Sequence, residues 1–546
     1  MKVKFNKLFL LFIIIVAIFL RFYNLSQVPP QPSVDEVSIG YNAYSILKTG
    51  ADEYGSKFPI LLRAYDDFRP ALYVYLVIPF VKFLGLHVVS VRLPAVILSI
   101  ISVIAVYFIA KYLTKDAPTF KFKDITISIA QVATLLFAIS PWHIYISRLG
   151  HEVNAFLTFL LLGILFLFRF LEKQKWNLPL SSVFFGLSFD AYQNGKIVVP
   201  ILIFAFFIMF QKELLKEKAY LIISIALGLI IIFPVLLGSI DENALIRYKA
   251  TSLLGNSQAY FEEVDQRRQN SDSLGVIFDN RKFASVLLIS NAYLSHFDPV
   301  WLFLNKGNEP FKAPNIGLLY LIELPLIFIS MLFLLKSNLK TKNILILIIW
   351  GLVAILPGSI TTGYPHAMRA FSFLPIPQIL AAVGLISLLI LIKKRPWQYL
   401  FFSVFATCIV VSTIWFIHSY FRLLPRELSH HFQYGAIEAF RGTESIDSKY
   451  DKVIVSNKDR LFESYMFYLF EKKYDPAIYQ KKGGTISGGF AEEHRIGKYI
   501  FGKIEGNINK NSLYIINPME LTTGMNVVSE IKDMQGKTVL MIAESK

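Results

Sequence analysis

Cysteine is almost missing from this chain. Cys408 is the only one in 546 residues, and it lies in an apolar run, so no intrachain disulfide braces the fold. Charge is scarce too, at 17% of residues, and acids are scarcer than bases, 39 against 55. There is no Walker loop, no dinucleotide fingerprint, no HExxH and no CxxC. These absences exclude a nucleotide-driven machine, a thiol redox centre and a zincin-type protease.

What is present is grease. The composition is 54% hydrophobic and 15% aromatic, far too apolar for a soluble protein of this length. It implies an α-helical polytopic membrane protein. A net charge of +16 has three common sources: nucleic-acid binding, Lys-rich cytoplasmic loops, and attraction to anionic lipid headgroups or phosphates. Its distribution favours the last two and argues against nucleic acid.

Apolar runs of span length fall at about 7–24, 91–112, 125–141, 154–171, 179–193, 197–211, 219–238, 316–335, 342–357, 370–391 and 398–418. That predicts about 11 transmembrane helices. Every second connection is rich in Lys, beginning with Lys2, Lys4 and Lys7 and ending with Lys393, Lys394 and Arg395. By the positive-inside rule the N-terminus is cytoplasmic. No small-residue cleavage site follows the first run, which reads as a retained span rather than a signal peptide. Counting ALYVYLVIPFVKFLG (71–85) as a span would reverse the alternation, so it reads as a surface-lying or re-entrant helix.

Two long external segments follow, 25–90 and 239–315, and the tail 419–546 also falls outside. Residues 1–418 then form the membrane domain. The tail reads as a small extracytoplasmic α/β domain, with strand-like KVIVS, SLYIIN and TVLMIA around helix-like DRLFESYMFYLFEKK. GGTISGGF (483–490) lacks the context of a phosphate loop and reads as a flexible loop.

The acids Asp35 and Glu36 in SVDEVSIGY are the candidate catalytic residues. Ser33-x-x-Glu36 fits a capping box, for a helix running to Lys48 and stopped at Gly50. Val37, Tyr41 and Tyr44 share one face of it, as in an interfacial helix. Capping accounts for Glu36 and leaves Asp35 as the better candidate for chemistry. In YDDFRPALY, Asp66, Asp67 and Arg69 form either a solvated turn or a second polar set. The acids could divide the work of deprotonation and sugar binding, or hold a divalent cation; no cofactor is otherwise indicated.

Arg21 and Arg92 flank the first external segment, either snorkelling or capturing a lipid phosphate. Three short external connections are unusually polar. One carries His143, Arg148, His151, Glu152 and Asn154, the second Lys196, and the third His366 and Arg369. Glu323 lies within an apolar run, which marks it for function or for the interface. With short inside loops and no nucleotide site, any group transferred outside must arrive attached to a lipid.

Over residues 21–98 the order of these features resembles the GT-C fold glycosyltransferases that use lipid-linked sugars. The branch it is most similar to is family 39, of protein O-mannosyltransferases and lipid A aminoarabinose transferases. The resemblance rests on Arg21 in RFYNL, the acids of DEVSIGY, FRPALYVYL and VRLPAVILS. Beyond these it is diffuse, in the span number and SPWHIYISR. One departure is that Phe68 precedes Arg69-Pro70, and Ala71 replaces a second proline common in the family.

The resemblance implies a GT-C-like fold in a cell (plasma) membrane and a polyprenyl-phosphate-linked sugar donor. The acceptor would be a hydroxyl of a glycan, lipid or protein, with Asp35 as general base and inversion at the sugar. Arg21, Arg92 or Arg369 would stabilise the leaving phosphate. The competing class is a lipid or saccharide flippase; the chain shows no repeated halves to support it.

Overall fold

The computed structural model describes residues 2–545 apart from 66, 124, 240–249, 271, 273–274, 306–308, 335–340, 487–492 and 505–507. The chain packs as two units. The first comprises Met1–Arg21, Ile97–Ser147 and Glu152–Phe416; the second comprises Phe22–Val96, Arg148–His151 and Ile417–Lys546.

Long apolar helices dominate: α1 (Lys2–Phe22), then α4 (Val88–Leu113), α5 (Ile129–Ile139), α6 (Pro141–Ser147), α7 (Glu152–Leu171), α8 (Asn177–Ala191), α9 (Gly195–Lys216) and α10 (Lys218–Ser239). Further helices cover Glu323–Leu334, Thr341–Ser359, Ile376–Leu391 and Arg395–His418. Each of the eleven apolar runs meets one of these. Among the described residues seven are long and apolar enough to cross a membrane, or eight if α5 and α6, bent by 52°, form one broken span.

Two of the runs are not helical throughout. Run 125–141 begins as a strand, Ile125–Ile127, paired with Phe120–Phe122. Run 316–335 becomes helical only at Glu323. Before that, the Leu319 amide bonds the Leu302 carbonyl, and Gly317 lies so close to Phe303 that any Cβ would overlap its backbone. Glu323 accepts the Tyr320 amide at 3.1 Å at that helix start, so it is placed to anchor the first turn. The protein is a multi-pass membrane protein.

In the second unit, Ser33 and Glu36 form the expected capping box for α2 (Val34–Thr49), and Gly50 ends it at φ 72°. Unlike an interfacial helix, α2 is covered by protein: Val37 and Tyr41 are fully buried. Gly40 allows the helix Ser464–Glu471 to approach, since a Cβ there would sit 2.6 Å from the Phe470 ring. Strands β1 (Leu61–Ala64) and β2 (Asp67–Pro70) form an antiparallel hairpin that leads into α3 (Leu72–Leu84). At 13 residues, α3 is about 20 Å long, too short to cross a hydrocarbon core of about 30 Å.

The tail forms a six-stranded sheet. KVIVS is its central parallel strand, and SLYII and TVLMIAES pair antiparallel beside it. Of GGTISGGF, residues 487–490 lie outside the described residues. Thr485 is tied down, donating at 2.8 Å to the carboxylate of Glu53.

Candidate active site

In the second unit, the helix start that holds the two acids treats them differently. Glu36 is buried, and every acceptor position of its carboxylate is taken. It accepts from Ser33 N at 2.9 Å, Gly150 N at 2.8 Å, Arg92 Nε at 2.7 Å and Arg92 Nη2 at 3.1 Å. A carboxylate so filled has no lone pair with which to take a proton. Arg92 is equally committed. Besides Glu36, its guanidinium donates to the carbonyls of Leu25, Pro29 and Gln31 at 2.9–3.0 Å, which uses all five N–H groups. It is fully buried, so it neither snorkels nor offers a face to a phosphate.

Asp35 sits one residue earlier, in the first turn of α2, where the helix dipole favours an anion. Its side chain is 48% exposed, and Arg69 Nη2 meets Oδ1 at 2.9 Å. The β1–β2 hairpin aims Arg69, whose register partner is Leu62. Tyr65, in the turn of that hairpin, donates from its hydroxyl to the Val34 carbonyl at 2.9 Å and so fixes the hairpin to the start of α2. Asp67 Oδ1 accepts the Phe68 amide at 2.7 Å, a turn-forming contact. Asp66 lies outside the described residues.

Arg148 is buried, donates to the Val28 carbonyl at 2.8 Å and lies 4.8 Å from the Phe421 ring centroid. His151 follows on the same segment, half-buried.

The first unit gathers another polar set. Arg21 is buried, donating to the Ala138 carbonyl at 2.9 Å and meeting His143 Nδ1 at 2.6 Å. Because a guanidinium only donates, His143 is neutral there, with its proton on Nε2. The three polar connections converge: Trp142 Nε1 donates to the Ala367 carbonyl at 3.0 Å, and Asn194 donates to the Arg369 carbonyl at 2.7 Å. Arg369 is half-buried and its guanidinium donates to the Thr362 carbonyl; Nδ1 of half-buried His366 accepts the Arg369 amide at 3.4 Å. Lys196, half-buried, lies within electrostatic reach of Asp190. Glu152 and Asn154 are buried at the start of α7.

Sequence reasoning missed several residues. His296 Nε2 accepts the His366 amide at 3.2 Å, and burial holds its imidazole below the usual histidine range. Its neighbour Asp298 caps the helix Pro299–Phe303, a start that Asp-Pro signals in the sequence. Glu53 is fully buried, bonded by Asn42 of α2 at 3.0 Å and by Thr485, and burial pushes its carboxyl up to about 7. Among the described residues no group of three or more His, Cys, Asp or Glu side chains could hold a metal ion.

A family model described as dolichyl-phosphate-mannose-protein mannosyltransferase matches residues 69–237. No curated protein sequence matches the chain. Among solved structures, ArnT from Cupriavidus metallidurans bound to undecaprenyl phosphate is similar at a TM-score of 0.51 and 12% identity, over 99% of this chain and 98% of its own. The Archaeoglobus fulgidus oligosaccharyltransferase, tethered by a disulfide bond to an acceptor peptide containing the NVT sequon, is similar at a TM-score of 0.50 and 13% identity. That match covers 85% of this chain but only 62% of the archaeal one. At such identities the likeness establishes architecture, and with the family match it bears out the resemblance read from residues 21–98: the chain has the GT-C glycosyltransferase fold, carried in a multi-pass membrane protein with a C-terminal sheet domain.

Proposed function

We propose that this protein is an inverting glycosyltransferase that moves a sugar from a polyprenyl-phosphate donor to an acceptor hydroxyl, with Asp35 as general base. The observation that carries the reading is the contrast within α2. Glu36 is saturated and buried, whereas Asp35 is half-exposed and meets the Arg69 guanidinium at 2.9 Å. Asp35 would remove the hydroxyl proton. The freed oxygen would attack the anomeric carbon as the bond to the phosphate oxygen breaks, and the lipid phosphate would leave as an anion needing no proton. The undecaprenyl phosphate in the ArnT structure and the acceptor peptide in the oligosaccharyltransferase support a lipid donor and a separate acceptor.

Glu36 and Arg92 then act as an anchor rather than as reacting groups. Arg369 and Lys196 are half-exposed cations of the first unit. Arg148, His151 and Asp67 belong to the same unit as Asp35 and would shape its polar surroundings. The alternation of Lys-rich loops supports a cytoplasmic N-terminus in the plasma membrane, with the chemistry and the 419–546 domain outside.

The test is reconstitution into vesicles with candidate polyprenyl-phosphate sugars, reading release of polyprenyl phosphate. General-base catalysis is worth about 10²–10⁴ in rate, and Asp35→Asn should lose that much. Wild-type speed in Asp35→Asn would end the proposal. Movement of the lipid without cleavage would identify a flippase instead.

A further inference from the structure

The first unit contains a cavity of about 380 Å³ that the proposed chemistry has not used. Its walls come from the segments 298–301, 309–311 and 363–367. Three aromatic residues line it, Trp301, Phe311 and Tyr364, together with two acids, Asp298 and Glu309. Its size lies within the range of small-molecule sites.

The charges in the wall decide what it can hold. Lys312 is buried, and its ammonium is spent on Glu309 at 2.6 Å and on the Trp301 carbonyl at 2.7 Å. The same ammonium lies 5.3 Å from the Trp301 ring centroid and so braces that ring. Asp298 lies at the exposed rim. Its Oδ1 caps the helix Pro299–Phe303 through the Val300 amide at 2.9 Å, and Oδ2 has no hydrogen-bond partner among the described residues. An anion such as a lipid phosphate would meet a carboxylate with no lysine or arginine among the described lining residues to offset it. A hydrocarbon chain would leave that carboxylate facing grease. A sugar ring suits both kinds of wall, with apolar C–H faces against aromatic rings and hydroxyls donating to a carboxylate that only accepts.

The wall is also rigidly built. Phe311 is held at φ 63°, an unusual conformation for a bulky residue, with its ring 5.5 Å from that of His366. His366 is in turn bonded through its amide to His296, which donates from Nδ1 to the Ala292 carbonyl. The ring platform is therefore set before any ligand enters.

We propose that this cavity is a saccharide subsite, taking one neutral pyranose ring between the Trp301–Phe311–Tyr364 walls with a hydroxyl on Asp298. The inference rests on the glycosyl-transfer reading but does not depend on the role of Asp35.

The test is saturation-transfer NMR on the purified full chain in detergent, with methyl α- and β-glycosides of glucose, mannose and galactose as probes. Ring protons of at least one glycoside should receive saturation from wild type and equally from Asp35→Asn. Tyr364→Ala should abolish the transfer. Asp298→Asn keeps a good helix cap and should weaken binding by about tenfold, the loss of one hydrogen bond to a charged group. Melting curves identify any variant that has not folded, and Asp298→Asn then carries the test alone. The subsite is overturned if no glycoside binds wild type, if both variants bind like wild type, or if inorganic phosphate displaces the sugar. Release of polyprenyl phosphate without glycoside binding would overturn the subsite alone. Glycoside binding without such release would overturn the transfer reading alone.

Discussion

Two ion pairs leave adjacent residues of α2, and they have opposite characters. Glu36–Arg92 is buried at both ends, with relative side-chain exposures of 1% and 0%. Asp35–Arg69 joins a half-exposed acid to a buried base. The buried pair repays its desolvation only because every donor and acceptor in it is used, including the Gly150 amide and three backbone carbonyls. It holds α2, the 25–31 segment and the start of α4 in one place. The open pair contributes little to stability and keeps a carboxylate within reach of water. Chemical type does not separate the two acids; burial and the filled carboxylate of Glu36 do.

This contrast can be broken by experiment. The largest effect expected is the drop of about 10²–10⁴ in turnover for Asp35→Asn, with a melting temperature close to that of wild type because the amide oxygen can still accept from Arg69. A large loss of stability in that variant would erase the distinction. Next comes Arg92→Met, which strands Glu36 in the interior and should cost about 3–5 kcal/mol, read by thermal unfolding in detergent. Pairing it with Glu36→Leu should recover much of the loss, since no charge is then left without a partner. If the double variant is as unstable as the single one, packing rather than charge is responsible.

Arg69→Lys keeps the charge but loses the fork that aims Asp35, and should reduce turnover by about ten- to a hundredfold with little change in melting temperature. The smallest effect concerns Glu53, a third acid, buried without an ionic partner among the described residues. Burial raises its carboxyl from the ordinary 4.5 to about 7, so the folded state binds its proton more tightly than the unfolded chain does. Stability from this group is therefore fully present below about pH 4.5 and lost as pH climbs through 7. Glu53→Gln should remove that slope, so that its melting temperature overtakes wild type at pH 8. Parallel melting curves for the two proteins across pH 5–8 would contradict it.

Much of the fold was readable from local signals. Ser33, Glu36 and Gly50 announced both ends of α2, because caps are built from residues three or four apart. KVIVS, SLYII and TVLMIA announced strands by their apolar content. Helix positions followed from apolar runs, although 125–127 and 316–322 are not helical, because they find hydrogen-bond partners in a hairpin and in the 299–303 segment. The polarity of the three short connections pointed to a shared pocket, and two long-range hydrogen bonds bring them together. His296 and Trp301 gave little signal, since a lone aromatic or imidazole in a loop has many uses.

The sequence by itself determined the membrane class, the helix and strand segments, and the presence of two acids at one helix start, because each depends on neighbours within a few residues. Only the tertiary structure decided which acid is buried with its carboxylate filled and which stays half-exposed. The partners that fill Glu36 come from residues 56 and 114 positions away, and no local pattern encodes which lone pairs they will occupy.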